Sequence, residues 1–160
     1  RRDITVRLER CGAGAEAVWI EQRGEILICD EAVSFIVEFT SAPLSAIRYV
    51  VAHELGHAVA EHHGLKAAGS GEDEADEFAA LFLLGNDSLA EDVKEAALLM
   101  RRMGRIPDLV DATRQERLDR AAALECLWLG RQGGPDAACA AHYSARRDWW
   151  RSLQVLRDQP

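Results

Sequence analysis

The sequence has no apolar run approaching the roughly 18 residues that a membrane-spanning helix needs. It is also short of positive charge: 19 Lys and Arg stand against 27 Asp and Glu, for a formal net charge of −8. Nucleic acids and anionic membrane surfaces both require a cationic footprint, so neither is expected as the main partner. There is no Cys-x-x-C, and four scattered cysteines do not resemble a zinc ribbon. The glycines at Gly12, Gly14, Gly69 and Gly71 lack a following basic phosphate motif, so no nucleotide site is read. No internal repeat or low-complexity linker marks a domain boundary. The chain opens on Arg1-Arg2-Asp3 without a signal peptide, the start expected of a processed or trimmed product.

What is present fits an ordinary globular protein. The 160 residues are 48% hydrophobic and 29% charged, enough to bury a core within a single domain spanning 1–160. Cys11, Cys29, Cys126 and Cys139 allow three pairings. The local one, Cys11–Cys29 and Cys126–Cys139, closes two short loops near the chain ends and is the expectation. It carries with it a secreted or periplasmic location, because thiols oxidise stably only outside the cytoplasm.

Residues 3–29 read as β. Ile4, Val6 and Leu8 alternate with Thr5, Arg7 and Glu9, the period of a half-buried strand. Two further apolar runs, 18–21 and 25–28, flank Gln22-Arg23-Gly24 as in a hairpin. From Asp30 onward the pattern is helical. A helix is expected over 44–63, with Ser41 as cap, Pro43 in its first turn and Gly64 as its stop. Leu44, Ile47, Val51, Leu55 and Ala58 form one apolar stripe on it. His53 and His57 lie nearly opposite, among Ala46, Val50 and Ala60. A helix apolar on both sides should run through the interior, its histidine face lining a cleft. A second helix over 72–84 follows the small-residue stretch Ala67–Gly71 and carries Glu72, Asp76, Ala79 and Leu83 on one face. Further helices are expected over 88–103, 109–129 and 136–157, punctuated by Gly104, Pro107 and Gly133-Gly134-Pro135.

The chemistry is concentrated in His53-Glu54-Leu55-Gly56-His57. Histidines at i and i+4 of a helix project side by side, so both imidazoles reach one metal ion. Glu54, one step aside, is placed to take a proton from water as the metal polarises a carbonyl. Catalytic zinc usually has a third protein ligand. Glu72 is the first candidate, with Asp73, Glu74 and Glu77 as rivals. Asp76, one turn beyond Glu72, could receive the outer N–H of a ligating histidine.

His53-Glu54-Leu55-Gly56-His57 followed by Glu72-Asp73-Glu74-Ala75-Asp76 resembles the glutamate-zincins, whose second motif is written E-x-x-A-D. The resemblance implies Glu72 as third zinc ligand and Asp76 as support for a histidine. The layout also resembles a family of bacterial metallopeptidases known mainly as a domain of unknown function, with a cysteine-flanked hairpin before the zinc helix and a cysteine pair near the end. Cys11, Cys29, Cys126 and Cys139 match that layout. The stretch from Asp108 to Arg120 departs from the aspartate- and histidine-bearing segment that the family shows before its last cysteine pair.

The expected architecture is therefore α+β and zincin-like: a small N-terminal β-meander, the buried metal-binding helix, then a mainly helical C-terminal part. The expected function is zinc-dependent hydrolysis of a peptide or protein substrate, with Glu54 as base and an edge strand aligning the chain. The alternatives are a hydrolase of some other amide at the same site, and a metal-binding sensor without turnover; an intact Glu54 argues against the latter. His62 and His63 fit a helix end. His142 and Tyr143 are candidates for an oxyanion donor, and Trp149 and Trp150 read as core or interface.

Overall fold

The computed structural model describes residues 3–12, 17–65, 71–106 and 111–155. Three strands, β1 (Thr5–Glu9), β2 (Ala17–Ile20) and β3 (Glu25–Cys29), precede six helices. These are α1 (Asp30–Phe39), α2 (Pro43–His62), α3 (Glu72–Leu84), α4 (Ala90–Met103), α5 (Asp111–Arg131) and α6 (Ala137–Val155). The chain is thus α+β with a small N-terminal sheet, and each expected helix forms within a few residues of its expected bounds. The stretch Ala67–Ser70, before α3, lies outside the described residues. No helix among the described residues is long and apolar enough to cross a membrane.

The sheet is not a meander. Its order is β1-β3-β2, with β1 parallel to β3 and β2 antiparallel to it. The reason lies at the ends of the strands: Glu9 pairs with Cys29, and the Cys11–Cys29 disulfide joins Cα atoms 5.4 Å apart. A meander would put β2 between them and separate β1 from β3 by two strand spacings, roughly 10 Å, too far for the bond. The 21–23 segment is a single 3-10 turn ending at Gly24, so the expected β2–β3 hairpin is present.

The alternation in β1 is real but its apolar face is not half-buried. Val6 and Leu8 pair in register with Ile26 and Ile28, which are buried, yet are themselves 51% and 59% exposed. β3 and β2 lie against α1 and α2, whereas β1 rests chiefly on β3.

The helix α2 runs through the interior, but its buried line is not the leucine stripe. Leu44 is exposed and Ile47, Val51 and Leu55 are half-buried, so of that stripe Ala58 alone is buried, whereas Ala46, Tyr49, Ala52, His53, Glu54 and Gly56 all are. No side chain caps it: Ser41 does not, and instead Thr40 Oγ1 accepts the N–H of Ala42 at 3.1 Å. Small residues explain the buried face. A Cβ on Gly56 would stand 2.8 Å from the Cα and carbonyl oxygen of Ala75, so the backbones of α2 and α3 meet where both lack bulk. Ala79 and Ala80 of α3 and Ala96 and Ala97 of α4 extend this close packing around Tyr49, Leu83 and Leu124. Arg48 adds a bidentate pair, donating to both oxygens of the buried Asp92 at 2.6 and 2.8 Å, which ties α2 to α4.

The helices α5 and α6 are clamped by Cys126–Cys139, Cα atoms 5.0 Å apart. Gly130 permits the approach, since a Cβ there would collide with the carbonyl of Cys139 at 2.3 Å. Trp150 is buried, as expected of a core residue, and its indole N–H donates to Glu77 at 2.5 Å. Among the described residues no cysteine is free, and two such crosslinks mark a protein that folds under oxidising conditions.

Two outcomes follow from this packing. Replacing Cys126 and Cys139 together with Ser should lower unfolding free energy by about 3 kcal/mol, the loop-entropy worth of a span this short, read by urea titration; an unchanged midpoint would show that the bond is absent in solution. Gly56→Ala should cost about 1–3 kcal/mol in the same titration, as an overpacked contact that forces α3 away from α2; an unchanged midpoint would show that the two backbones do not meet there.

Candidate metal centre

The close approach of α2 and α3 brings together three side chains from two motifs. His53 and His57 sit one turn apart on α2, and Glu72 opens α3 opposite them. Their Nε2 atoms are 3.2 Å apart. Glu72 Oε2 lies 3.4 Å from His53 Nε2, and Oε1 lies 3.4 Å from His57 Nε2. Ligands at 2.0–2.1 Å from a tetrahedral ion stand about 3.3–3.4 Å from one another. The Glu72 carboxylate spans the histidine pair with one oxygen beside each ring nitrogen, and each of the three residues offers a ligand atom within 4.8 Å of the others. Two imidazoles and a carboxylate so placed fit a divalent ion of the zinc class. Among the other acidic residues of α3, Glu77 is engaged by Arg146 at 2.7 Å and by Trp150, and Asp73 is exposed.

Behind the histidines lies Asp76, 4% exposed. His53 Nδ1–H donates to its Oδ1 at 2.7 Å, which fixes the tautomer and leaves Nε2 facing His57 and Glu72. Tyr49 O–H donates to the same oxygen at 2.6 Å. Arg120 of α5 donates through Nε to Oδ2 at 2.6 Å and through a terminal nitrogen to Oδ1 at 2.9 Å. Its other terminal nitrogen reaches Glu72 Oε2 at 2.9 Å. One guanidinium therefore orients both the carboxylate that faces the histidine pair and the one that backs it.

Sequence reasoning missed Tyr49 and Arg120. Tyr49 had a faint signal, four residues before His53 and so on the same helix face. Arg120 had none: it lies 44 residues from Asp76, in the stretch that departs from the family pattern. His142 and Tyr143, the candidate oxyanion donors, do not line the cleft. His142 borders a separate cavity beside Asp73 and Arg120, and Tyr143 is buried in the core.

The cleft has a volume of about 490 Å³ and is lined by Ala17, Val18 and Trp19 of β2 and by His53, Glu54, His57, Glu61 and Glu72. Glu54 Oε2 accepts the backbone N–H of Trp19 at 2.7 Å, and the Trp19 indole N–H donates to Glu61 Oε2 at 2.7 Å. Trp19 thereby fastens the sheet edge to α2 at two points, a role nothing in the sequence announced.

The charges are set by these contacts. Burial raises the Glu54 carboxyl above its ordinary range, against the pull of both histidines and the Trp19 N–H. Hydrogen bonds from His53 and His57, with the Arg120 charge, hold Glu72 well below the usual range despite its burial. Burial opposes ionisation of Asp76, but its bonds from His53 and Arg120 outweigh this and keep it low. Burial also opposes a charge on His53, yet Asp76 and Glu72 together push it up to about 9. Tyr49, buried beside Asp76, stays protonated far above its normal range and so remains a donor.

A model of the family DUF4344, described as "Putative metallopeptidase", matches residues 1–148, and the chain belongs to that family. No curated protein and no solved structure matches the chain.

The raised pKa of His53 gives the metal-free protein a pH dependence of definite sign. In the unfolded chain this group titrates near 6.5, and in the folded one near 9. Its stabilising contribution is complete below 6.5 and is lost as pH rises through 9. Thermal unfolding in excess chelator should therefore show a Tm that falls across this window. His53→Asn should flatten the profile; a parent profile already flat would contradict the charged pairing of His53 with Asp76 and Glu72.

Proposed function

We propose that this member of the metallopeptidase family is a zinc peptidase in which His53, His57 and Glu72 hold the ion and Glu54 is the general base. The observation that carries the reading is the convergence of three residues from two separate motifs: the Nε2 atoms of His53 and His57 lie 3.2 Å apart, and the Glu72 carboxylate sets one oxygen 3.4 Å from each. When bound, the ion supplies Lewis acidity, polarising the substrate carbonyl and acidifying a water molecule.

The chain's own residues supply the rest. Glu54 Oε2 is held by the Trp19 N–H, which leaves Oε1 to take a proton from water as its oxygen adds to the carbonyl carbon. The same carboxyl then delivers that proton to the departing nitrogen as the C–N bond breaks. Its upward-shifted pKa suits both roles better than an ordinary glutamate's would. Asp76 holds His53 in the tautomer that presents Nε2, and Arg120 holds Asp76 and Glu72.

A peptide is favoured over other amides because the cleft wall is a strand. β2 is an edge strand, and Ala17–Trp19 border the cleft, so an extended substrate can lie alongside it. The reading makes residues 1–160 a single zincin-like domain. The two disulfides support a secreted or periplasmic site of action.

The division between ligands and base is directly testable. His53→Ala, His57→Ala and Glu72→Ala should each lose stoichiometric zinc by metal analysis, while Glu54→Gln should keep it and lose peptide cleavage by about 10²–10⁴-fold. Asp76→Ala should weaken zinc affinity about 10–100-fold in chelator competition without abolishing it. Zinc retained in full by Glu72→Ala, or turnover retained by Glu54→Gln, would overturn the assignment.

A further inference from the structure

Glu61 lines the same cleft but has no part in the chemistry proposed above. It lies one turn beyond His57 on α2, about 6 Å further along the axis at 1.5 Å per residue. Its carboxylate is exposed to solvent, and one oxygen is held by the Trp19 indole N–H at 2.7 Å. No other partner engages it among the described residues, so most of its acceptor capacity is open. The Trp19 ring that anchors it also lines the cleft and is half-buried, and an indole is the side chain best suited to meet a cation. Among the described lining residues none but the histidine pair is basic, so no described Arg or Lys of the lining competes for this carboxylate.

We propose that Glu61 and Trp19 form a specificity subsite for a basic side chain of the substrate, Arg or Lys. The aliphatic stem and cationic head would lie along the indole, with the head on the Glu61 carboxylate. An extended peptide advances about 3.3 Å per residue, so a 6 Å offset from His57 places the basic residue one or two positions from the scissile bond. This inference rests on the peptidase reading, and it gives a site of that kind a substrate class. Glu54 and Glu72 cannot serve instead, because each is committed to the reaction centre.

The test uses the zinc-loaded protein and N-acetylated peptides that differ at one position near the cleaved bond, carrying Arg, citrulline or Glu. Acetylation removes the terminal ammonium as a rival cation. The parent should favour Arg over citrulline by about five- to tenfold in kcat/KM, the combined worth of a partly exposed charge pair and a cation–π contact. Glu61→Gln should bring that ratio close to one, and Glu61→Arg should turn the preference toward the Glu peptide. Calorimetry with the Glu54→Gln variant measures the same Arg-to-citrulline ratio as a Kd, without turnover. A preference that survives Glu61→Gln in either measurement, or a parent that has none, overturns the subsite. A binding preference that depends on Glu61 in a parent that cleaves no peptide upholds the subsite and overturns the peptidase reading alone.

Discussion

The buried carboxylate of Asp76 is the point on which the rest of the arrangement depends. A charge at 4% exposure is tolerated only when every lone pair is met. Here the partners come from two helices, Tyr49 and His53 of α2 and Arg120 of α5, onto a carboxylate of a third, α3. The same bonds that offset its desolvation also set the ring of His53 and the rotamer of Glu72. Structural necessity and the preparation of the metal site are therefore one network. Arg120 matters most within it, since it serves both carboxylates and removing it would leave the buried Asp76 and the half-buried Glu72 with one fewer cation.

That network requires helices closer than bulky side chains allow. Gly56, inside the zinc motif, and Ala75, inside the second motif, meet at backbone distance. The unassigned positions of the two motifs are therefore not free: they fix the separation across which Glu72 reaches the histidines. The sheet is fastened from the other side by Trp19, whose backbone and indole hydrogens go to Glu54 and Glu61. The cleft is thus a groove between an edge strand and α2, with His53, Glu54, His57 and Glu61 on the helix and Ala17–Trp19 on the strand.

The disulfides act at the periphery. Cys11–Cys29 ties like ends of two parallel strands and so selects the β1-β3-β2 order over a meander. Cys126–Cys139 holds α6 against α5, the helix that delivers Arg120. In a chain of this size each bond removes a large share of the unfolded ensemble's freedom, which steadies helices whose alanine-rich contacts bury little area apiece.

Local rules made much of this legible from residues alone. The i, i+4 spacing of His53 and His57, the shared face of Glu72 and Asp76, the five helices from 44 onward and the strand periods all follow from 3.6- and 2-residue repeats. Those repeats are properties of the backbone and hold wherever the chain goes. What the repeats could not state is which face meets which. The leucine stripe of α2 had the stronger hydrophobic pattern, yet the buried face is the small-residue one, because close approach to α3 is worth more there than covering Leu44. The apolar face of β1 had the right alternation and lacks a helix over it. Arg120, Trp19 and Glu61 carry no local signature of their roles, and Tyr49 only a faint one, since each acts on a partner 27 to 44 residues away. The sequence by itself determined the reactive residue types and their spacing along each helix. Only tertiary packing decided the pairing of elements, because that choice depends on contacts between surfaces that no single segment encodes.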